Sequence, residues 1–237
     1  MLDPRDRVIM VSGANRGIGG AIARCLYDKG YRLSLGIRSP EAMQTAKDVF
    51  DPGRVTIHRH EACDRALNEA WVAATVERHG RLDGLVNAAG ILLSVGIEED
   101  DEARYNELWS VNVMGPLRLT RLALPYLRAS GNGRIVNVAS LSGKRVAGDN
   151  AGYPMSKFAV VALSHATRRI GWADGVRVTA LCPGYVATDM VADVHNPAPE
   201  QMTQPEDLAE LVATVIALPN NAAVAELMVN WRHEQIL

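Results

Sequence analysis

The sequence predicts an α/β fold: one doubly wound, seven-stranded parallel sheet with helices on both faces. Three observations predict it. Short β-forming runs alternate with amphipathic stretches along the whole 237 residues. A glycine cluster, "GANRGIGG", stands between the first such run and the first amphipathic stretch. No linker-like stretch, internal repeat or low-complexity tract divides the chain, so residues 1–237 read as a single domain.

"RVIMVS" is the first strand. The helix after the glycines carries an apolar stripe of Ile22, Ala23 and Leu26, and Gly30 is placed to stop it. "YRLSLGIR" is the second strand. Ser39 followed by Pro40 gives the cap and first-turn proline of a second helix, which the turn signal "DPG" at Asp51 to Gly53 ends. The remaining strands are "RVTIHRH", "LDGLVNA", "GRIVNVA", "GVRVTAL" and "AVAELMV", with helical stretches beginning near Asp64, Asp101, Tyr153 and Pro205. The acidic run Glu98 to Glu102 favours the positive end of the helix that follows it.

Hydrophobic residues make up 48% of the chain and charged residues 22%, with a formal charge of −2, a balance that gives no reason to expect nucleic acid as a partner. The opening "MLDPRDRVIMVSG" lacks a signal-peptide layout and no apolar run suits a membrane span, so a cytoplasmic location without membrane attachment is expected. Cys25, Cys63 and Cys182 are scattered and read as buried thiols, neither disulfide-bonded nor zinc-binding. His58 and His60 alternate on one strand with no third ligand evident, so no metal site is expected.

Gly13, Gly17 and Gly19 occupy the first β-α junction, where a tight turn would bring backbone N–H groups against a dinucleotide pyrophosphate. A carboxylate at the end of the second strand would read the ribose 2′-OH of NAD. Here that end is "GIR". Arg38 on the strand end and Arg16 inside the glycine turn would instead flank a 2′-phosphate, which favours NADP(H) as cofactor; each arginine alone reads equally as a solvated surface group.

The chain resembles the short-chain dehydrogenases/reductases in their single-domain form, with a Rossmann-like fold. The resemblance rests on "GANRGIG", "NAAG" at Asn87 to Gly90, "VN" at Asn112, "VAS" ending at Ser140, the YxxxK pair Tyr153 and Lys157, and "PGYVAT" from Pro183 to Thr188, all in the family's order. It implies a catalytic set of Asn112, Ser140, Tyr153 and Lys157. It also implies cofactor contacts at Gly13, Asn15, Arg16, Gly17, Ile18, Gly19, Arg38, Glu61, Ala62, Asn87, Ala88, Gly90, Tyr153, Lys157, Pro183, Gly184, Val186 and Thr188. Tyr153 would act as general acid/base, because a hydride joining or leaving carbon requires a proton to move at the attached oxygen. A phenol's ordinary pKa near 10 must fall for base work; Lys157 four residues on, the positive nicotinamide and the helix's positive end would lower it by ~2–3 units. In the family's pattern Lys157 also bonds the nicotinamide ribose, Ser140 holds the reacting oxygen, and Asn112 anchors a water that relays protons.

The sequence departs from the pattern in places. Ala88 replaces a second asparagine, Glu61 stands where an aspartate is usual, and a short segment, about 189–204, takes the place of a longer substrate lid. The glycine-rich ending after the last strand is replaced by "NWRHEQIL". Residues that should border the substrate, Leu92, Leu93, Leu141, Val146 and Tyr185, are largely apolar and favour a small molecule with an apolar body. The expected function is NADP(H)-dependent interconversion of a ketone or aldehyde with its alcohol. An alternative is reduction of a 3-oxoacyl group on an acyl carrier protein, with Lys144, Arg145, Arg168 and Arg169 as a docking patch. An alternative of another class is a nucleotide-sensing protein without turnover. From the resemblance, helices near Asn106 to Leu127 and Tyr153 to Ile170 would pair across subunits of a homodimer or homotetramer.

Overall fold

The computed structural model describes residues 1–194 and 197–234, apart from the side chains of Pro40, Met43, Ala46 and Lys47. Seven strands form one parallel sheet: β1 (Val8–Ser12), β2 (Arg32–Ile37), β3 (Val55–Arg59), β4 (Gly84–Asn87), β5 (Arg134–Val138), β6 (Arg177–Pro183) and β7 (Glu226–Val229). Their order across the sheet is β3-β2-β1-β4-β5-β6-β7. The chain winds outward from β1 to β3, then crosses back to lay β4 against the other side of β1. That reversal opens a crevice beyond the carboxyl ends of β1 and β4.

Both faces of the sheet are covered, and alternation along β1 divides the core. Ile9 and Val11 pack with α1 (Gly17–Asp28) and α7 (Pro205–Ala217) through Ile22, Leu26, Leu208, Val212 and Ile216. Val8 and Met10 pack on the opposite face with α3 (Arg65–His79) and α5 (Gly115–Ala129) through Trp71, Val72, Leu119, Ala123 and Leu127. A smaller cluster of Ala139, Val160, Val161, Ala180 and Cys182 seats α6 (Gly152–Gly171) over β5 and β6. Each large side chain buried this way contributes about 1.5–3 kcal/mol relative to exposure.

The local signals act as expected. Ser39 Oγ accepts from Ala42 N at 3.0 Å at the start of α2 (Pro40–Val49), and Asp51 closes its own turn onto Gly53 N at 2.8 Å. Gly30 takes φ +98°, a conformation a side chain would resist. Within the acidic run, Asp101 caps α4 (Glu102–Trp109) by accepting from Arg104 N at 3.1 Å.

Two readings need correction. The long helix expected around Asn106 to Leu127 is broken by a π-helical turn at Ser110–Met114, which carries Asn112. Of the three thiols only Cys182 is buried; Cys25 is partly covered and Cys63 exposed. No described helix is long and apolar enough to cross a membrane.

Candidate active site

The glycine turn is shaped by contact as well as by conformation. Gly13 and Gly17 take φ +66° and +54°, and a Cβ on Gly19 would stand 2.3 Å from the Gly13 carbonyl oxygen. Gly13 N donates to Gly36 O at 3.0 Å, so β2 anchors the turn. The first turn of α1 contains no acidic side chain, and Arg16 at its cap makes no side-chain capping bond. The first-turn N–H groups and the positive helix end are therefore free for an anion, which is the test that a dinucleotide pyrophosphate must meet. Thr188 closes the turn from the far side: a Cβ on Gly17 would lie 3.3 Å from Thr188 Cγ2.

Around this turn lie the other residues of the expected cofactor set. Arg38 follows β2 and is exposed; Glu61 and Ala62 follow β3; Ala88 and Gly90 follow β4; Pro183 ends β6, and Gly184, Val186 and Thr188 follow it. Arg16 is already engaged, with its guanidinium 3.0 Å from Asp189 Oδ2 in an exposed pair. Asn87 turns its side chain inward, donating to Asn137 Oδ1 at 2.7 Å, and Asn137 donates in turn to Ser164 Oγ at 2.9 Å. Its amide nitrogen ties β4 to β5 and α6, while Oδ1 stays buried without a partner among the described residues.

The chemical residues converge beyond β5. Ser140 stands two residues past that strand, capping the single turn Leu141–Gly143, and is 9% exposed; its Oγ accepts from Ser142 N at 3.0 Å. Tyr153 is the second residue of α6 and Pro154 the third, positions where a missing N–H costs nothing. Tyr153 lies beside Ser140, and Lys157 Nζ stands 5.5 Å from the Tyr153 ring centroid. Lys157 is 6% exposed and donates to Val138 O at 2.9 Å. Gly90 leaves room for this group, since a Cβ there would lie 3.7 Å from Lys157 Nζ and 3.2 Å from Asn112 Oδ1.

The electrostatics differ from the expectation of a lowered phenol. Burial pushes Tyr153 up to about 12, with the Ser140 hydroxyl pulling weakly the other way. Burial also pulls Lys157 down to about 8. Desolvation disfavours both charges, and the lysine spends a proton on a backbone carbonyl instead of the phenol. Tyr153 is only partly covered, so water or a substrate oxygen reaching the phenol would offset some of the rise.

Asn112 is held firmly. Its Oδ1 accepts from Ile91 N at 2.9 Å, while Nδ2 donates to Ile91 O at 3.0 Å and to Ser156 Oγ at 3.1 Å. Ser156 Oγ donates to Tyr153 O at 2.7 Å, so one chain of bonds joins the loop after β4, the π turn and the first turn of α6.

Sequence reasoning missed three positioning residues. Ser12 accepts from Ala88 N and Ala89 N at 3.0 and 3.2 Å. Ser156 sits inside the YxxxK interval itself. Asn150 accepts from Tyr153 N and Val95 N at 3.4 Å each and donates to Leu93 O at 3.2 Å. An Asx residue just ahead of a helix was the available signal for Asn150; nothing in the sequence marked Ser12.

At the substrate side Leu92, Val146 and Tyr185 are exposed, whereas Leu141 is buried and contributes packing only. The short lid holds two single turns, Asp189–Val191 and Pro199–Gln201, and is clamped at its base where Ala187 N donates to Thr203 O at 3.0 Å. His195 and Asn196 of that segment, and residues 235–237 of the ending, lie outside the described residues. Met190 on the lid is exposed and Met202 buried. His60 is buried against Trp71 with ring centroids 4.8 Å apart, and burial pulls it down to about 4. Among the described residues no three His, Cys, Asp or Glu side chains gather as a metal site would require.

The family model for short chain dehydrogenases matches residues 7–198. An agropine synthesis reductase of Rhizobium rhizogenes is 43% identical over 232 residues, covering 97% of this chain and 53% of the relative. The chain thus spans about half the length of that relative. An uncharacterized oxidoreductase of Staphylococcus saprophyticus is 31% identical, covering 97% of this chain and 99% of the relative. Among solved structures, levodione reductase superposes with a TM-score of 0.86 at 28% identity, covering 95% of this chain and 96% of that one. A dehydrogenase/reductase from Sinorhizobium meliloti 1021 gives a TM-score of 0.84 at 29% identity, covering 96% and 94%. With the matching model, the relatives and the sheet order in agreement, the chain belongs to the short-chain dehydrogenase/reductase family of oxidoreductases.

Proposed function

We propose that the protein is an NADP(H)-dependent oxidoreductase that interconverts a ketone or aldehyde with its alcohol, with Tyr153 as the proton donor and acceptor. The observation that carries this reading is the convergence of Ser140, Tyr153 and Lys157 beyond β5, at the same end of the sheet as the glycine turn. The nicotinamide, when bound, supplies or takes the hydride. Ser140 holds the carbonyl oxygen, and Tyr153 gives it a proton as the carbon is reduced. At neutral pH the phenol is fully protonated, the state a donor needs. Lys157, a cation below about pH 8, then stabilises the phenolate left behind. The Asn112 bonds to Ile91 and Ser156 tie the loop after β4 and the π turn to the first turn of α6, which carries Tyr153.

NADP(H) in place of NAD(H) is supported by Arg16 and Arg38 and by the lack of a carboxylate at the end of β2. A carbonyl with an apolar body is supported by exposed Leu92, Val146 and Tyr185, and the reductase names of two relatives agree with the reaction class. The carrier-protein alternative keeps only the exposed Arg169 of its four docking residues. Lys144 is spent on Glu226 at 2.7 Å, Arg145 on Glu234 at 2.9 Å, and Arg168 stacks over Trp172 at 4.6 Å. A homo-oligomer is supported by exposed Trp109, Met155 and Phe158 on α4 and α6.

NADPH and NADH consumption by the purified protein against aldehydes, diketones and keto esters, with Tyr153→Phe as control, tests the reading. Turnover with NADPH that drops at least about 100-fold in the variant is expected. Equal activity of the variant removes Tyr153 from the proton transfer, and a preference for NADH removes the arginine argument.

A further inference from the structure

The segment after β7 has no part in the site as described, yet it reaches the loops that carry that site. Gly184 N donates to Val229 O at 2.9 Å, and the chain then turns so that Trp231 covers Gly184, where a Cβ would lie 3.0 Å from Trp231 Cδ1 and 3.2 Å from Leu141 Cδ1. Trp231 also meets Tyr185 edge to face at 6.1 Å between ring centroids. Three residues on, Glu234 forms a two-pronged pair with Arg145, both bonds 2.9 Å, with side chains only 13% and 16% exposed. Arg145 N donates to Leu141 O at 3.1 Å, one residue past Ser140. A forked carboxylate-guanidinium pair sheltered from water fixes orientation in a way a surface pair does not.

Resting on the carbonyl-reducing reading above, we propose that residues 230–234 form a wall of the substrate entrance, that the Arg145–Glu234 pair is the latch that holds it, and that Trp231 with Tyr185 sets the size of carbonyl compound admitted. The sequence replaces the family's glycine-rich ending with an aromatic and a charged side chain at this place, and both find partners on loops next to Ser140. Loosening the latch frees the wall; removing the indole widens the entrance while the latch stays closed.

Two measurements separate the latch from the wall. Trypsin cleaves after Arg232, inside the segment, so intact-mass analysis of brief digests reports its release without reference to activity. Glu234→Gln is expected to be cut there at least about five times faster than wild type, with circular dichroism unchanged. For the wall, kcat and KM are measured over a series of ketones of increasing bulk with whichever nicotinamide nucleotide supports turnover. Trp231→Ala is expected to shift the KM ratio of smallest to largest ketone by about tenfold toward the large ones, with kcat moving less than KM. Cleavage of Glu234→Gln at the wild-type rate refutes the latch. Faster cleavage with an unaltered size preference in both variants refutes the wall. A wild type that turns over no ketone overturns the carbonyl reading and the wall with it, while the trypsin result still decides the latch.

Discussion

Lys157 is an ammonium buried without a carboxylate partner among the described residues, and its replacement should make the nucleotide-free protein more stable. The fold pulls its pKa from 10.5 to about 8, and that difference corresponds to roughly 3 kcal/mol of burial cost at neutral pH. Lys157→Met keeps the length and removes the charge, but it strips Val138 O of its donor, a loss of about 1 kcal/mol. The net gain is about 2 kcal/mol, or about 4–8 °C in Tm for a chain of this size. The sign follows from proton counts. Below pH 8 the lysine is protonated both folded and unfolded, so the wild type bears the full cost. Between about 8 and 10.5 the unfolded chain binds more protons, so wild-type stability rises with pH, by ~1.4 kcal/mol per unit relative to the variant. Above 10.5 both states are neutral and the order reverses. Thermal unfolding of both proteins at pH 7, 9 and 10.5 reads this directly. A difference that stays constant with pH, or a variant less stable at pH 7, would refute the argument.

Three further outcomes are expected. In the reductive direction kcat/KM for the nucleotide should hold through neutrality and fall as pH rises past about 8, where Lys157 loses its charge, while alcohol oxidation should rise with pH because it needs the phenolate that burial disfavours; parallel pH profiles check both. Asp189→Asn releases Arg16 from its exposed partner and should tighten NADPH binding about two- to fivefold with little change for NADH, measured by nucleotide fluorescence titration. Gly36→Ala places a Cβ 2.5 Å from Cη2 of Trp71, whose Nε1 is fixed to Ser34 Oγ at 2.8 Å, and should lower stability by about 1–3 kcal/mol in urea unfolding.

The seven strands and the end of the sheet at which the crevice lies were legible because strand identity here is a matter of local apolar runs and of punctuation by Gly30, Ser39, Asp51 and Asp101, whereas the order of the strands across the sheet was not. The YxxxK interval was legible because helical spacing fixes which side chains share a face. What could not be read depends on distant partners. Whether Lys157 would address the phenol or a carbonyl is decided by Val138 on β5, and whether Arg16 is free is decided by Asp189, 173 residues away. The break at Ser110–Met114 was hidden for a related reason: no proline or glycine within the turn announces it, and its justification is the bond from Asn112 to Ile91 across the crevice.

That π turn carries one residue more than an α-helix would need to cover the same rise. Deleting a residue there so that the helix became regular would rotate all of α5 by about 100° relative to α4. Leu119, Ala123 and Leu127, which face the sheet, would then swing out of the core. The extra residue that turns Asn112 toward Ile91 thus also sets the phase of the helix beyond it, so the length of this stretch is fixed by the core as well as by the site.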